Sequence, residues 1–222
     1  MKQALLACVS ALALTGAASA ADLSRKPPPP VTKAPPTYPA GYNWTGFYFG
    51  VNAGGGFGTS KWDSAGQFDV SGAVAGGTIG YNVQAGQWVF GIEGDYDWSN
   101  IKGDTTNAAC PLGCETKTSW LATARGRLGI AFDRLLPYAT GGVAFGDVKA
   151  RTPGLPGASE TKTGWTVGGG LEFALGGNWT AKAEYLFVDL GKFDCGVACN
   201  GTAPDNVSFQ SHIVRGGINL RF

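Results

Sequence analysis

From Trp44 onward the chain repeats one pattern, about ten residues of apolar and polar alternation followed by a turn or a loop. A period of two puts successive side chains on opposite faces of an extended strand, so each segment has one oily face and one polar face. The stretch Trp88 to Trp98 shows it most sharply: Trp88, Phe90, Ile92, Tyr96 and Trp98 oppose Glu93, Asp95 and Asp97. Eight such segments are predicted, over 44–56, 72–83, 88–98, 119–132, 136–148, 165–175, 179–188 and 211–222. The facing of the fifth, which opens near Pro137, does not follow from its pattern. Connections alternate between about two to four residues and about fifteen to twenty-two, which predicts an antiparallel up-and-down barrel with short turns on one rim and long loops on the other. The long connections span Phe57 to Ser71, Ser99 to Thr118, Lys149 to Gly164 and Asp189 to Gln210, and these carry any recognition.

Which face points outward decides between two barrels. A soluble lipocalin-type barrel would put the aromatic face inside and would need a well-charged exterior. Charged residues make up 15% of the 222, against roughly 25% in a typical soluble domain. The face opposite the aromatics carries scattered charges among glycine, threonine and asparagine, and tryptophans and tyrosines gather at strand ends like an interfacial girdle. The expected fold is therefore all-β, an eight-stranded antiparallel up-and-down transmembrane β-barrel over residues 43–222, with outer-membrane lipid against its oily face. A net charge of +1 gives a nucleic-acid partner no electrostatic support.

Lys2, the apolar run Ala4 to Leu14 and the small residues Ala18-Ser19-Ala20 predict a secretory signal peptide over residues 1–20, cleaved after Ala20. Residues 21–42 are proline-rich, with Pro27 to Pro30 in a row, and predict an extended periplasmic tether. Any cell-wall contact falls to that tether.

With the oily face on lipid, Glu93, Asp95, Arg125, Arg127, Glu172, Lys182, Glu184, Arg215 and Arg221 point into the lumen, four acids and five bases. Eight strands leave an interior just wide enough for side chains to fill. Near balance of charge predicts mutual salt bridges and a plugged lumen; the alternative is a narrow porin for ions or small solutes.

Val214, Gly216, Ile218, Leu220 and Phe222 fall on one face of the last segment. With Arg215 and Gly217 this stretch resembles the C-terminal signal of bacterial outer-membrane barrels, in which Arg215, Gly217, Leu220 and Phe222 would be read by the barrel assembly machinery. The leader, the tether, Trp44-Thr-Gly-Phe-Tyr-Phe-Gly-Val-Asn-Ala-Gly-Gly55, Tyr138-Ala-Thr-Gly-Gly-Val-Ala-Phe-Gly146 and Phe222 together resemble the small outer-membrane immunogenic barrels of α-proteobacteria, distant relatives of the OmpA transmembrane domain. The resemblance implies a cell outer-membrane location and a structural, envelope-integrity or surface-interaction role, with host-surface contact among the partners. Porin-like and haem-binding members keep those two alternatives open.

Export places Cys110, Cys114, Cys195 and Cys199 in an oxidising compartment. Their spacing predicts two local disulfides, Cys110 with Cys114 and Cys195 with Cys199, with a zinc site as the alternative. His212 is the sole histidine and the candidate haem ligand; Ser211 beside it faces the other way, so the two do not form a nucleophile and base. No enzyme activity, metal or cofactor is expected.

Overall fold

The computed structural model of the chain describes residues 41–63, 66–107, 110–151, 158–196 and 205–222. The leader over 1–20 and all of the tether except its last two residues lie outside the described residues. Eight strands follow in order: β1 (Gly46–Trp62), β2 (Gly66–Ala85), β3 (Trp88–Asn107), β4 (Cys110–Ile130), β5 (Leu135–Arg151), β6 (Ala158–Gly176), β7 (Trp179–Gly196) and β8 (Asp205–Arg221). Each pairs antiparallel with its neighbour in sequence, and β8 closes on β1 in a register running from Tyr48↔Arg221 to Trp62↔Val207. Closure leaves no open sheet edge, which a lipid environment requires.

At one rim the chain reverses in two-residue turns, Gly86–Gln87, Asp133–Arg134 and Gly177–Asn178. Such turns need left-handed backbone. Gly86 (φ 63°) and Gly177 (φ 53°) supply it freely, while Asp133 adopts φ 53° as a non-glycine residue.

The oily face points outward. Phe47, Phe49, Val51, Ile79, Phe90, Ile92, Val167, Leu171, Val214 and Ile218 are all exposed. Aromatic rings mark both edges of the band: Phe47, Trp88, Phe132, Phe173, Trp179 and Phe222 on the turn side, and Tyr96, Trp98, Phe145, Trp165 and Tyr185 on the other. On β3 the band runs from Trp88 to Trp98, and ten residues rising about 3.3 Å each at a tilt near 40° climb about 25 Å, the height of an outer-membrane apolar band. β5, whose facing its pattern leaves open, turns Leu136, Tyr138, Thr140 and Ala144 inward and Ala139, Val143 and Phe145 outward.

The long-loop reading is overturned. Most of the described residues assigned to loops continue the strands, so that β1 runs to Trp62, β3 to Asn107, β5 to Arg151 and β7 to Gly196. The extensions form a collar beyond the second aromatic girdle, and there the polarity of the sheet inverts. Along β1 the outer face runs Phe47, Phe49, Val51, Phe57 and then Thr59 and Lys61; the inner face runs Tyr48, Asn52 and then Ser60 and Trp62. Outside hydrocarbon the sheet meets water, so apolar side chains move to the interior. The collar encloses a core that includes Trp62, Phe68, Val70, Ile101, Val148, Val188, Leu190, Val207, Phe209 and Ile213. A second apolar cluster, Trp44, Val89, Ala131, Leu136 and Ala174, fills the turn-side mouth.

Candidate functional site

The lumen between those two apolar layers is where the chemistry of the chain is concentrated. Inner-face glycines make room for its large side chains: a Cβ at Gly80 would collide with the Tyr48 ring, and one at Gly170 with the Tyr138 hydroxyl. Two arginines organise the charges. Arg125 of β4 donates from Nη2 to Asp95 Oδ2 at 2.6 Å and to Glu93 Oε1, and from Nη1 to Glu184 Oε1 at 3.1 Å. Arg215 of β8 donates from Nη1 to Asp97 Oδ2 at 2.6 Å and from Nη2 to Asp95 Oδ1 at 2.7 Å and Glu184 Oε2 at 2.6 Å. Since Arg125 and Glu184 come from β4 and β7, and Arg215 and Asp97 from β8 and β3, these pairs tie non-adjacent walls of the barrel together.

Arg127 donates to Glu172 Oε2 at 2.7 Å and to the Tyr48 hydroxyl at 3.1 Å, and its guanidinium lies 4.0 Å from the Tyr138 ring centroid. Lys182 Nζ reaches Glu93 Oε2 at 3.1 Å. Neutral groups add donors to four of the five carboxylates: Tyr48 donates to Glu93, Tyr138 to Glu184, Thr180 and Asn219 to Glu172, and Thr78 and Thr123 to Asp95. The ionic side chains of the cluster are at most 2% exposed. Buried ions persist where several hydrogen bonds offset their lost hydration, and each carboxylate here has at least one charged partner.

Arg221 stands apart from this cluster, a correction to its place in the predicted network. Its guanidinium donates to the carbonyls of Asn43 at 2.8 Å and Thr45 at 3.2 Å and lies over the Tyr42 and Trp44 rings. The reason is height on the strand: Arg221 is at the turn-side end of β8, where residues 41–45 cross the mouth. That segment is also held by Tyr42 N to Asp133 Oδ1 at 3.0 Å and Trp44 N to Gln84 Oε1 at 2.7 Å. Asp97, Tyr48 and Tyr138 belong to the cluster and are missing from the sequence-derived set. Asp97 was legible, since it shares a face with Glu93 and Asp95.

His212 lies near the middle of β8 on the outer face. Its Nδ1 is 2.7 Å from the Tyr185 hydroxyl, and its ring is 5.6 Å from Phe57 and 5.2 Å from Phe187, centroid to centroid. It is part of the aromatic girdle, while Ser211 is buried on the inner side. Cys114 is buried and disulfide-bonded; the side chains of Cys110 and Cys195, and the whole of Cys199, lie outside the described residues. Of the proposed assembly residues, Arg215 is in the ionic cluster, Gly217 faces Asn52, and Phe222 donates its amide to Phe47 O at 2.9 Å and stacks on Phe49 at 5.4 Å.

Residues 4–222 match the family model for the outer membrane protein beta-barrel domain. Over its full length the chain is 39% identical to the 31 kDa outer-membrane immunogenic protein of Brucella melitensis, with 100% of both chains covered. It is 31% identical to the 25 kDa outer-membrane immunogenic protein of Brucella canis, over 100% of this chain and 99% of that one. The 22 kDa outer membrane protein of Rhizobium leguminosarum bv. viciae is 35% identical over 84% and 82% of the two chains. Among solved structures, Neisserial surface protein A shares the fold with a TM-score of 0.50 at 16% identity, covering 80% of this chain and 98% of that one. A closed barrel with an oily outer band, matched by full-length outer-membrane relatives, places the protein in the outer membrane: the chain belongs to the outer membrane protein β-barrel family.

Proposed function

We propose that this barrel is a non-conducting structural protein of the envelope that presents a rigid collar at the cell surface. The observation that carries this reading is the order of layers along the axis, an ion-paired lumen between two apolar plugs built around Trp44 and Trp62. A permeating ion would have to separate dry pairs, and leaving one buried charge without its partner costs about 3–5 kcal/mol. It would then meet layers lined mainly by apolar side chains, which offer it little hydration. Short turns belong to the periplasmic rim and the collar to the outside. The names of the Brucella relatives include the word immunogenic, which accords with a collar open to the surroundings. A role in envelope integrity is supported by the fixing of residues 41–45 across the periplasmic mouth, where the proline-rich stretch joins the barrel.

The test is conductance of the purified, refolded protein in planar bilayers. A silent bilayer is expected. Steady conductance steps that change on Arg125→Gln or Glu93→Gln would replace this reading with that of a narrow pore. Haem binding is checked by the Soret band, and a shift abolished by His212→Ala would establish it; the occupied Nδ1 and the surrounding rings argue for a girdle role instead.

A further inference from the structure

Just beyond the outer girdle, one rung of the collar contains no acid. Lys102 of β3 stands directly across from Lys117 of β4, and Lys117 from Lys149 of β5, with Ser71 and Ser159 completing the rung on either side. All three lysines are exposed on the outer face. Like charges directly opposite one another on neighbouring strands destabilise a sheet, and an anion seated between the three would relieve that repulsion.

The nearby acids do not supply that anion in full. Asp147 Oδ2 is 3.2 Å from Lys149 Nζ, which also donates to Ser119 Oγ at 2.9 Å. The other Asp147 oxygen accepts the amides of Ser119 and Trp120 at 2.7 and 3.0 Å. On the next rung outward Asp104 stands opposite Glu115, and Glu115 opposite Arg151. A cleft of about 250 Å³ opens between the two rungs, lined by Glu115, Lys117, Lys149 and Arg151. It is large enough for a phosphate group.

Height identifies the source of the phosphate. Lys102 comes four residues after Trp98, Lys149 four after Phe145, and Lys117 three before Trp120. At strand rise and tilt that places their Cα atoms about 8–10 Å beyond those of the girdle residues, so that the long flexible side chains reach the headgroup layer, about 5–8 Å deep on each side of the hydrocarbon. We propose that the Lys102–Lys117–Lys149 rung is a docking site for the phosphate of a lipid headgroup in the outer leaflet, which seats a lipid against β3, β4 and β5. Lys102 and Lys117 act as point charges, and Arg151 closes the outer wall of the cleft while offsetting Glu115.

The inference rests on the membrane orientation and not on whether the lumen conducts. Its test uses the full barrel in phosphatidylcholine nanodiscs, titrated with diphosphoryl lipid A or with the same lipid stripped of phosphate, and read by native mass spectrometry of the ejected complex. Diphosphoryl lipid is expected to bind in preference. Lys102→Gln/Lys117→Gln/Lys149→Gln is expected to weaken it on the order of a hundredfold, roughly fivefold per lysine. Lys61→Gln/Lys192→Gln, on another sector of the collar, should leave it unchanged. Lys117→Glu alone should reduce binding by more than tenfold, and unboiled gel mobility verifies that each variant is folded. Equal binding of the stripped lipid, equal loss in the Lys61/Lys192 control, or undiminished binding in the triple variant each overturns the proposal. So does displacement of the lipid by inorganic phosphate at equal concentration, which would mark a free-anion site.

Discussion

Arg215 on β8 reaches across the lumen to Asp97 on β3, Nη1 to Oδ2 at 2.6 Å, although 118 residues separate them in the chain and β1 and β2 lie between their strands in the sheet. The same guanidinium holds Asp95 and Glu184, so one side chain joins three carboxylates from two walls. Arg215→Met therefore strands negative charge in a dry interior. The expected loss is about 3–5 kcal/mol, measured by urea unfolding of the refolded barrel in micelles. Arg215→Lys should fall between, because an ammonium cannot reproduce the planar fork. Adding Asp97→Leu to Arg215→Met is expected to recover part of the loss, and a double-mutant cycle quantifies the coupling.

The inversion of polarity along each strand gives opposite outcomes for the same substitution at two heights. Ile92 is 69% exposed, midway between Trp88 and Trp98 on the outer face. Ile92→Arg puts a charge at the bilayer midplane, which costs about 2–4 kcal/mol. Thr59→Arg, on the outer face of the collar, meets water and is expected to stay within about 0.5 kcal/mol. Unfolding of both variants in lipid vesicles separates the two, and equal effects would mean that the apolar band does not face hydrocarbon.

The barrel and its outward face were legible because ten-residue segments such as Trp88 to Trp98 keep one phase of alternation across the whole bilayer. The collar was not legible by the same rule. At the girdle the apolar residues change sides, so a search for continued oil on the outer face stops at Phe57 and Trp98. Yet Phe68 and Val70 alternate with Gln67, Asp69 and Ser71, and Val207 and Phe209 with Asn206, Ser208 and Gln210. That is a strand signal in its own right, with the apolar side turned inward. β5 was ambiguous because Leu136 and Tyr138 face in while Val143 and Phe145 face out, leaving apolar residues on both sides. Pairing partners such as Arg127 with Glu172 depend on register around a closed sheet, which strand periodicity does not contain.

Trp62 tests the collar as a separate layer. Its ring is fully buried, its Nε1 donates to Thr116 Oγ1 at 3.0 Å, and it packs on Phe68 with centroids 6.4 Å apart. Trp62→Ala opens a cavity and leaves Thr116 short of a partner, a loss of about 3–5 kcal/mol. Because the ionic cluster lies below this layer, the damage should stay local: protease added outside intact vesicles is expected to nick the collar while the membrane band survives as a protected fragment. Uniform loss of the whole barrel would show that the two layers unfold as one.

Phe222 separates packing from assembly. In the folded barrel it is 68% exposed, stacked on Phe49, and its amide bonds to Phe47 O, a contact that any residue other than proline would make. Phe222→Ala thus removes one ring contact, worth about 0.5–1.5 kcal/mol, and the refolded variant should unfold in urea only slightly earlier than the parent. If the assembly machinery reads this side chain, the amount reaching the outer membrane of living cells should fall severalfold, far more than that small change in stability would cause. A parallel Phe49→Ala variant loses the same stack from the other side and keeps Phe222. Equal outer-membrane levels for the two variants would reduce Phe222 to a packing residue, whereas a deficit confined to Phe222→Ala would assign it to recognition during insertion.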